Sequence, residues 1–197
     1  EKPCPYLGPT LPQQQSPVDC SRVMRGDVAA ISNASHYAWC IPQNVMSDSD
    51  FITATTDCHA FVAHRGYNLP HVSEEEHAFP IAFSILMYEN VDQFERLLRA
   101  IYRPHNLYCI HVDAKSPSTI INAVQSIASC FPNVFVAARL VDIHWGEFSL
   151  LDAELSCVRE LFEHSMPWKY YLNLSGREFP LKTNKELVSI LKAYNGG

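Results

Sequence analysis

The chain has 197 residues, 47% hydrophobic and 18% charged, enough apolar side chain for a packed domain and too much for global disorder. Fifteen basic against 21 acidic residues leave a formal charge of −6, which argues against a nucleic-acid binder held by phosphate contacts. No apolar run reaches the roughly 18–20 residues of a membrane-spanning helix, and the opening residues do not have the shape of a signal peptide. Residues 1–78 read as a stem and an irregular region. Cys4 to Val18 carries four prolines after Cys4 and the run Gln13-Gln14-Gln15, a pattern of extended chain. From Asp19 to Tyr67 the apolar residues form short clusters without a sustained period. Within that stretch Asn33-Ala34-Ser35 is a glycosylation sequon, expected on an exposed loop. Ser73-Glu74-Glu75-Glu76 has the form of a capping box opening a short helix.

Residues 79–197 are regular. Ile81 to Met87 is a nearly continuous apolar run, as in a strand buried on both faces. Val91, Phe94, Leu97, Leu98 and Ile101 then recur at helical spacing, with Asp92, Glu95, Arg96 and Arg99 on the opposite side, and Pro104 closes that element. Leu107 to Val112 reads as a second buried strand. A helix opens at Ser116-Pro117-Ser118 with Ile120, Ile121, Val124, Ile127 and Ala128 on its apolar face. Asn133 to Ala137 is a third strand. Ser149 to His164 is a helix with Leu151, Leu155, Val158, Leu161 and Phe162 expected inward. Tyr170 to Leu174 is a fourth strand and Asn184 to Tyr194 a fourth helix of this region. This alternation predicts an α/β fold, a mostly parallel sheet with helices on both faces.

Seven cysteines, at 4, 20, 40, 58, 109, 130 and 157, include no C-x-x-C pair and no zinc-finger spacing, so no metal site is expected. Scattered cysteines suit an oxidising compartment, although buried free thiols of a cytosolic protein remain the alternative. The odd number leaves one thiol free, bridged to another chain, or separated from its partner.

In a parallel sheet, ligands bind beyond the carboxyl ends of the strands. That rule selects Leu86-Met87-Tyr88-Glu89, His111 to Lys115, Val141 to Glu147, and Ser175-Gly176-Arg177-Glu178. Asp113 suits hydrogen bonds from a ribose or base, and equally the capping of the next helix. Lys115 suits a phosphate or a solvated surface. Trp145 offers a flat face or simple rim packing. His111 reads as a core histidine before a base, and Glu178 as a surface carboxylate. Neither G-x-G-x-x-G nor G-x-x-x-x-G-K-[ST] is present, which disfavours a dinucleotide site of the usual kind and a P-loop.

L-L-R-A-I-Y-R-P-H-N-L-Y-C-I-H-V-D-A-K (Leu97 to Lys115), I-A-S-C-F-P-N-V-F-V-A (Ile127 to Ala137) and W-K-Y-Y-L-N-L-S-G-R-E-F-P-L-K-T-N (Trp168 to Asn184) closely resemble the core 2-type β-1,6-N-acetylglucosaminyltransferases. So do C-S-R-V-M-R-G-D (Cys20 to Asp27) and D-C-H-A-F (Asp57 to Phe61). The resemblance implies a GT-A-like, Rossmann-like domain on the lumenal side of the Golgi membrane, in a type II membrane protein whose anchor is not in these residues. It implies inverting transfer of N-acetylglucosamine from UDP-N-acetylglucosamine to O-glycan or glycoprotein acceptors, without a metal or other cofactor. Carried over by position, donor contacts come from Leu86, Met87, Tyr88, Asp113, Ala114, Lys115 and Trp145. The first trio usually reads Val-Val-His in the family, and tyrosine often stands at the position of Trp145. The resemblance further implies disulfides Cys58–Cys130 and Cys109–Cys157, a downstream partner for Cys20, and a general-base glutamate and basic residues beyond residue 197. The sheet is then incomplete, and residues 1–197 are expected to be a fragment with little transferase activity. Ile143 to Leu151 also resembles the W-G-G-x-S-L-L pattern of peptide O-xylosyltransferases, a neighbouring enzyme reading. A third reading is a non-catalytic interaction protein that binds nucleotide sugar weakly or dimerises, as a homodimer or with a full-length enzyme.

Overall fold

The computed structural model describes residues 18–40, 45–68 and 72–194. Four strands, β1 (Ile81–Met87), β2 (Leu107–Val112), β3 (Val134–Val136) and β4 (Tyr170–Ser175), form one sheet in the order β3-β2-β1-β4, and every pairing is parallel. The mostly parallel α/β sheet read from the alternation is therefore present. Alternation along β1 separates its faces: Ile81, Phe83, Ile85 and Met87 enter the larger core, whereas Ala82 faces the smaller one.

The region ahead of the sheet departs from the sequence reading. Residues 20–77, expected to be irregular apart from the short helix at Ser73, hold five helices among the described residues: α1 (Cys20–Met24), α2 (Val28–Cys40), α3 (Asp48–Ala54), α4 (Cys58–His64) and α5 (Glu74–His77). Each of the short helices α1, α3, α4 and α5 begins on a side-chain cap, from Asp19, Ser47, Asp57 and Ser73 respectively. Such caps satisfy amide groups that the first turn leaves open, so a helix of one or two turns needs no apolar period of its own. The capping box at Ser73 forms with Glu76. Phe51, Phe61 and Tyr67 enter the same core as β1 and β2, so packing joins this region to the sheet. Asn33 is exposed, but on α2 rather than on a loop. The proline-rich stretch up to Pro17, Cys4 included, lies outside the described residues.

On one face of the sheet lie α6 (Val91–Ile101) and α7 (Ser118–Ala128), with α9 (Asn184–Ala193) contributing Val188 and Leu191 to the same core. Asn90 starts α6 from a left-handed conformation, φ 58°, and accepts a hydrogen bond from the Gln93 amide at 3.0 Å. The charged side of α6 is not outward. Asp92, Glu95 and Arg99 are buried beneath the N-terminal helices; Arg65 donates to Glu95 at 3.1 Å, and Met46 donates its amide to Asp92 at 3.3 Å.

The opposite face is covered by α8 (Phe148–Glu163). Its inward side also differs from expectation. Leu161 is buried, with Ala153, Ser156 and Cys157, while Leu151, Leu155 and Phe162 are exposed and Val158 is half-buried. The physical reason is the bridge Cys109–Cys157, which turns the small-residue side of α8 onto β2. The second bridge read from the resemblance, Cys58–Cys130, is also present, and Cys40 is disulfide-bonded too. Cys20 is a free, exposed thiol. Among the described residues no helix is long and apolar enough to cross a membrane.

Candidate functional site

The strand order places a topological switch between β1 and β4: the chain runs outward from β1 through β2 to β3, then returns to the other side of β1. Crossovers on opposite sides of such a point leave a crevice at the carboxyl ends of the strands. A cleft of about 710 Å³ lies there. Leu86, Met87, Tyr88, Asp113, Lys115 and Trp145 all line it, so six of the seven donor-site residues read from the sequence meet in one place. Ala114 is the exception among the lining side chains. Its amide is spent on the Val141 carbonyl at 3.0 Å, which fastens the segment 141–147 beside the tip of β2.

Local chemistry holds the rim in shape. Asp113 is buried and does not cap α7, whose N-cap is Pro117. Its Oδ1 accepts from the Lys115 amide at 2.9 Å, an Asx-type turn that directs Lys115 outward. The Lys115 ammonium lies 2.7 Å from Asp142 Oδ1 and 3.5 Å from Asp113 Oδ2, and also donates to the Ile143 carbonyl. The hydrogen bond to Asp142 holds the Lys115 pKa above its ordinary value, and the same contact holds that of Asp142 below its own. His111 is a core histidine: its Nε2 accepts from the Val141 amide at 2.9 Å, and burial lowers its pKa, favouring the neutral ring that can accept. Trp145 is 94% exposed at the cleft edge. Gly146, at φ +80°, makes the left-handed turn into α8 that a side chain would resist.

The far wall comes from β4 and α8. The Gly176 amide donates to the Leu86 carbonyl at 2.8 Å, and a Cβ on Gly176 would stand 2.8 Å from Met87 Cβ, so glycine is what lets the two strand tips meet. Arg177 pairs with Glu89 and stacks over Tyr88, 5.4 Å from the ring centroid. Glu178 accepts from the Ser175 amide at 2.9 Å while lining the cleft. Glu154, Asn173 and Leu150 complete this wall and were missed by the sequence reading. Glu154 and Leu150 stand one turn apart on α8, a signal visible only once the face of α8 is known.

A switch-point cleft at the carboxyl ends of the strands, with an acidic group, a lysine and an aromatic on its rim, is where ligand-binding α/β domains hold their ligands. The chain belongs to the core-2/I-branching enzyme family, whose model matches residues 81–196. It is 44% identical over 188 residues to the beta-1,3-galactosyl-O-glycosyl-glycoprotein beta-1,6-N-acetylglucosaminyltransferase 3 of Homo sapiens, covering 94% of this chain and 43% of that protein. The Bos taurus protein of the same name is 43% identical over 193 residues, covering 97% and 44% respectively. A beta-1,3-galactosyl-O-glycosyl-glycoprotein beta-1,6-N-acetylglucosaminyltransferase of Bovine herpesvirus 4 (strain DN-599) matches to the same extent. The chain thus spans less than half the length of the curated relatives it matches.

Proposed function

We propose that the cleft at the tips of β1, β2 and β4 binds UDP-N-acetylglucosamine and that the chain is the donor-binding part of an inverting, metal-independent β-1,6-N-acetylglucosaminyltransferase acting on O-glycan acceptors. The observation that carries the reading is the convergence of Leu86, Met87, Tyr88, Asp113, Lys115 and Trp145 on one cleft. In it, Asp113 accepts from the ribose or base, Lys115 leaves Asp142 to meet the diphosphate, and Trp145 covers the base or sugar. Inverting transfer forms a bond from the acceptor hydroxyl oxygen to the anomeric carbon as the bond to UDP breaks, with the hydroxyl proton passing to a carboxylate. The carboxylates Asp113, Glu154 and Glu178 that line the cleft each accept hydrogen bonds from neighbouring groups. Its cations Lys115 and Arg177 are each ion-paired. These engagements support slow transfer by residues 1–197 alone. Two disulfides between distant elements support assembly in an oxidising lumen, which we assign to the Golgi.

Calorimetric titration of the chain with UDP-N-acetylglucosamine tests this. Binding should survive a chelator, and Asp113→Ala should weaken it about 10- to 100-fold, the worth of a hydrogen bond to a charged group. Stronger binding of UDP-xylose would overturn the donor assignment in favour of a xylosyltransferase. No nucleotide binding, with co-purification of a full-length transferase, would replace it with a non-catalytic partner role.

A further inference from the structure

The polar groups of the cleft are unevenly placed. Lys115 and Arg177 stand past the ends of β2 and β4, whereas Glu154 and Asn173 line the part that runs back along the sheet, where Asn173 pairs with Ser84 in the middle of β1. Glu154 is held there by β4, which is tied in turn to β1. The Tyr171 hydroxyl donates to Oε1 at 3.0 Å, and the Asn173 amide donates to Oε2 at 3.4 Å. Ser84 Oγ lies 2.7 Å from the Tyr171 oxygen. A phenol has one proton, and it is committed to Glu154, so Ser84 is the donor to Tyr171. Burial pushes the Tyr171 pKa up to about 12, which keeps that proton in place at any working pH.

The carboxylate therefore uses two of its roughly four lone-pair positions on its own scaffold, leaving two for the cleft it lines. What remains is acceptor capacity, supplemented by the carbonyl oxygen of Asn173. Such a wall repels phosphate and suits a ligand that presents hydroxyl or amide protons. We propose that Glu154, oriented by Tyr171 and Asn173, is a sugar-hydroxyl subsite, set apart from a cationic, phosphate-facing end at Lys115 and Arg177. This rests on the nucleotide-sugar reading of the cleft. A donor sugar and an acceptor galactoside share the required hydroxyl chemistry, so the experiment separates them.

The chain is titrated with UDP, with UDP-N-acetylglucosamine and with a β-1,3-galactosyl-N-acetylgalactosamine glycoside. Glu154→Gln, which keeps the shape but removes the charge and turns one acceptor oxygen into an NH2 donor, should weaken one sugar-bearing ligand about 10-fold and leave UDP within about two-fold, since a hydrogen bond to a charged acceptor is being lost. Loss confined to UDP-N-acetylglucosamine assigns the donor ring; loss confined to the glycoside assigns the acceptor. Tyr171→Phe should weaken the same ligand by a smaller factor, as Glu154 loses its orientation. Should Glu154→Gln fold poorly by thermal denaturation, Glu154→Asp takes its place. A carboxylate that merely braces α8 against β4 would lower stability and weaken all ligands alike, or none, and either result overturns the subsite. If the unaltered chain binds neither nucleotide, the reading of the cleft itself fails and the subsite with it.

Discussion

Replacing both Cys58 and Cys130 by alanine removes a bridge between α4 and the turn after α7 that spans 72 residues of sequence. In the chain-entropy treatment, a cross-link lowers the entropy of the unfolded chain by about 2.1 + 1.5R ln n cal/mol/K, which for a loop of this size is about 4 kcal/mol at 25 °C. That is a large part of the 5–15 kcal/mol by which domains are commonly stable. The bridge lies at the amino ends of the strands, because α7 runs back from the cleft before β3 begins. Its loss should therefore lower stability without reshaping the cleft. With an m-value of about 2 kcal/mol per molar urea, the unfolding midpoint should fall by about 2 M, while UDP-N-acetylglucosamine affinity in the absence of urea stays within about two-fold. A shift worth less than about 1 kcal/mol would refute the reasoning, since it would mean that α3 and α4 do not unfold with the sheet. Comparable loss of affinity would refute the separation of the bridge from the site.

Neighbouring residues on α8 provide a sharp contrast: Leu161→Ala, at a position 0% exposed, should cost about 2–5 kcal/mol, whereas Phe162→Ala, at 70% exposure, should change stability by no more than about 0.5 kcal/mol in the same urea titration. His105 is buried with neither ring nitrogen hydrogen-bonded, and burial lowers its pKa from 6.5 to about 4. The folded state thus binds this proton less readily than the unfolded state, so the contribution is complete above pH 6.5 and is lost as pH falls toward 4. His105→Leu should flatten the pH dependence of the unfolding free energy across that window; an unchanged slope would contradict the assignment. Gly176→Ala should cost about 1–3 kcal/mol through the clash with Met87 and weaken nucleotide binding through displacement of the β1 tip, both readable by urea titration and calorimetry.

Much of the sheet was legible because its strands are apolar on both faces and its helices carry an unbroken period. β1, β2, α6 and α7 stand within a residue or two of their expected positions. The cleft residues were legible because the carboxyl-end rule depends only on element order, and the family motifs supply Asp113 and Lys115 directly. Less visible were α1, α3 and α4, whose short lengths rely on side-chain caps and, for α3 and α4, on burial against distant elements. The charged side of α6 shows the same limit. Asp92, Glu95 and Arg99 have the spacing of a solvated face, yet Arg65 and the Met46 amide, more than 25 residues away, bury and pair them.

Local periodicity and backbone chemistry thus determined the alternating strands and helices, the parallel sheet and the tips at which a ligand meets it. Which side of each helix faces inward was decided by tertiary partners, because an amphipathic pattern records hydrophobicity and not the neighbour that will cover it. Cys109 draws the small side of α8 onto the sheet, leaving Leu155 outside and Glu154 lining the cleft. A disulfide and a switch in strand order are contacts between residues far apart in sequence, and only the folded chain brings them together.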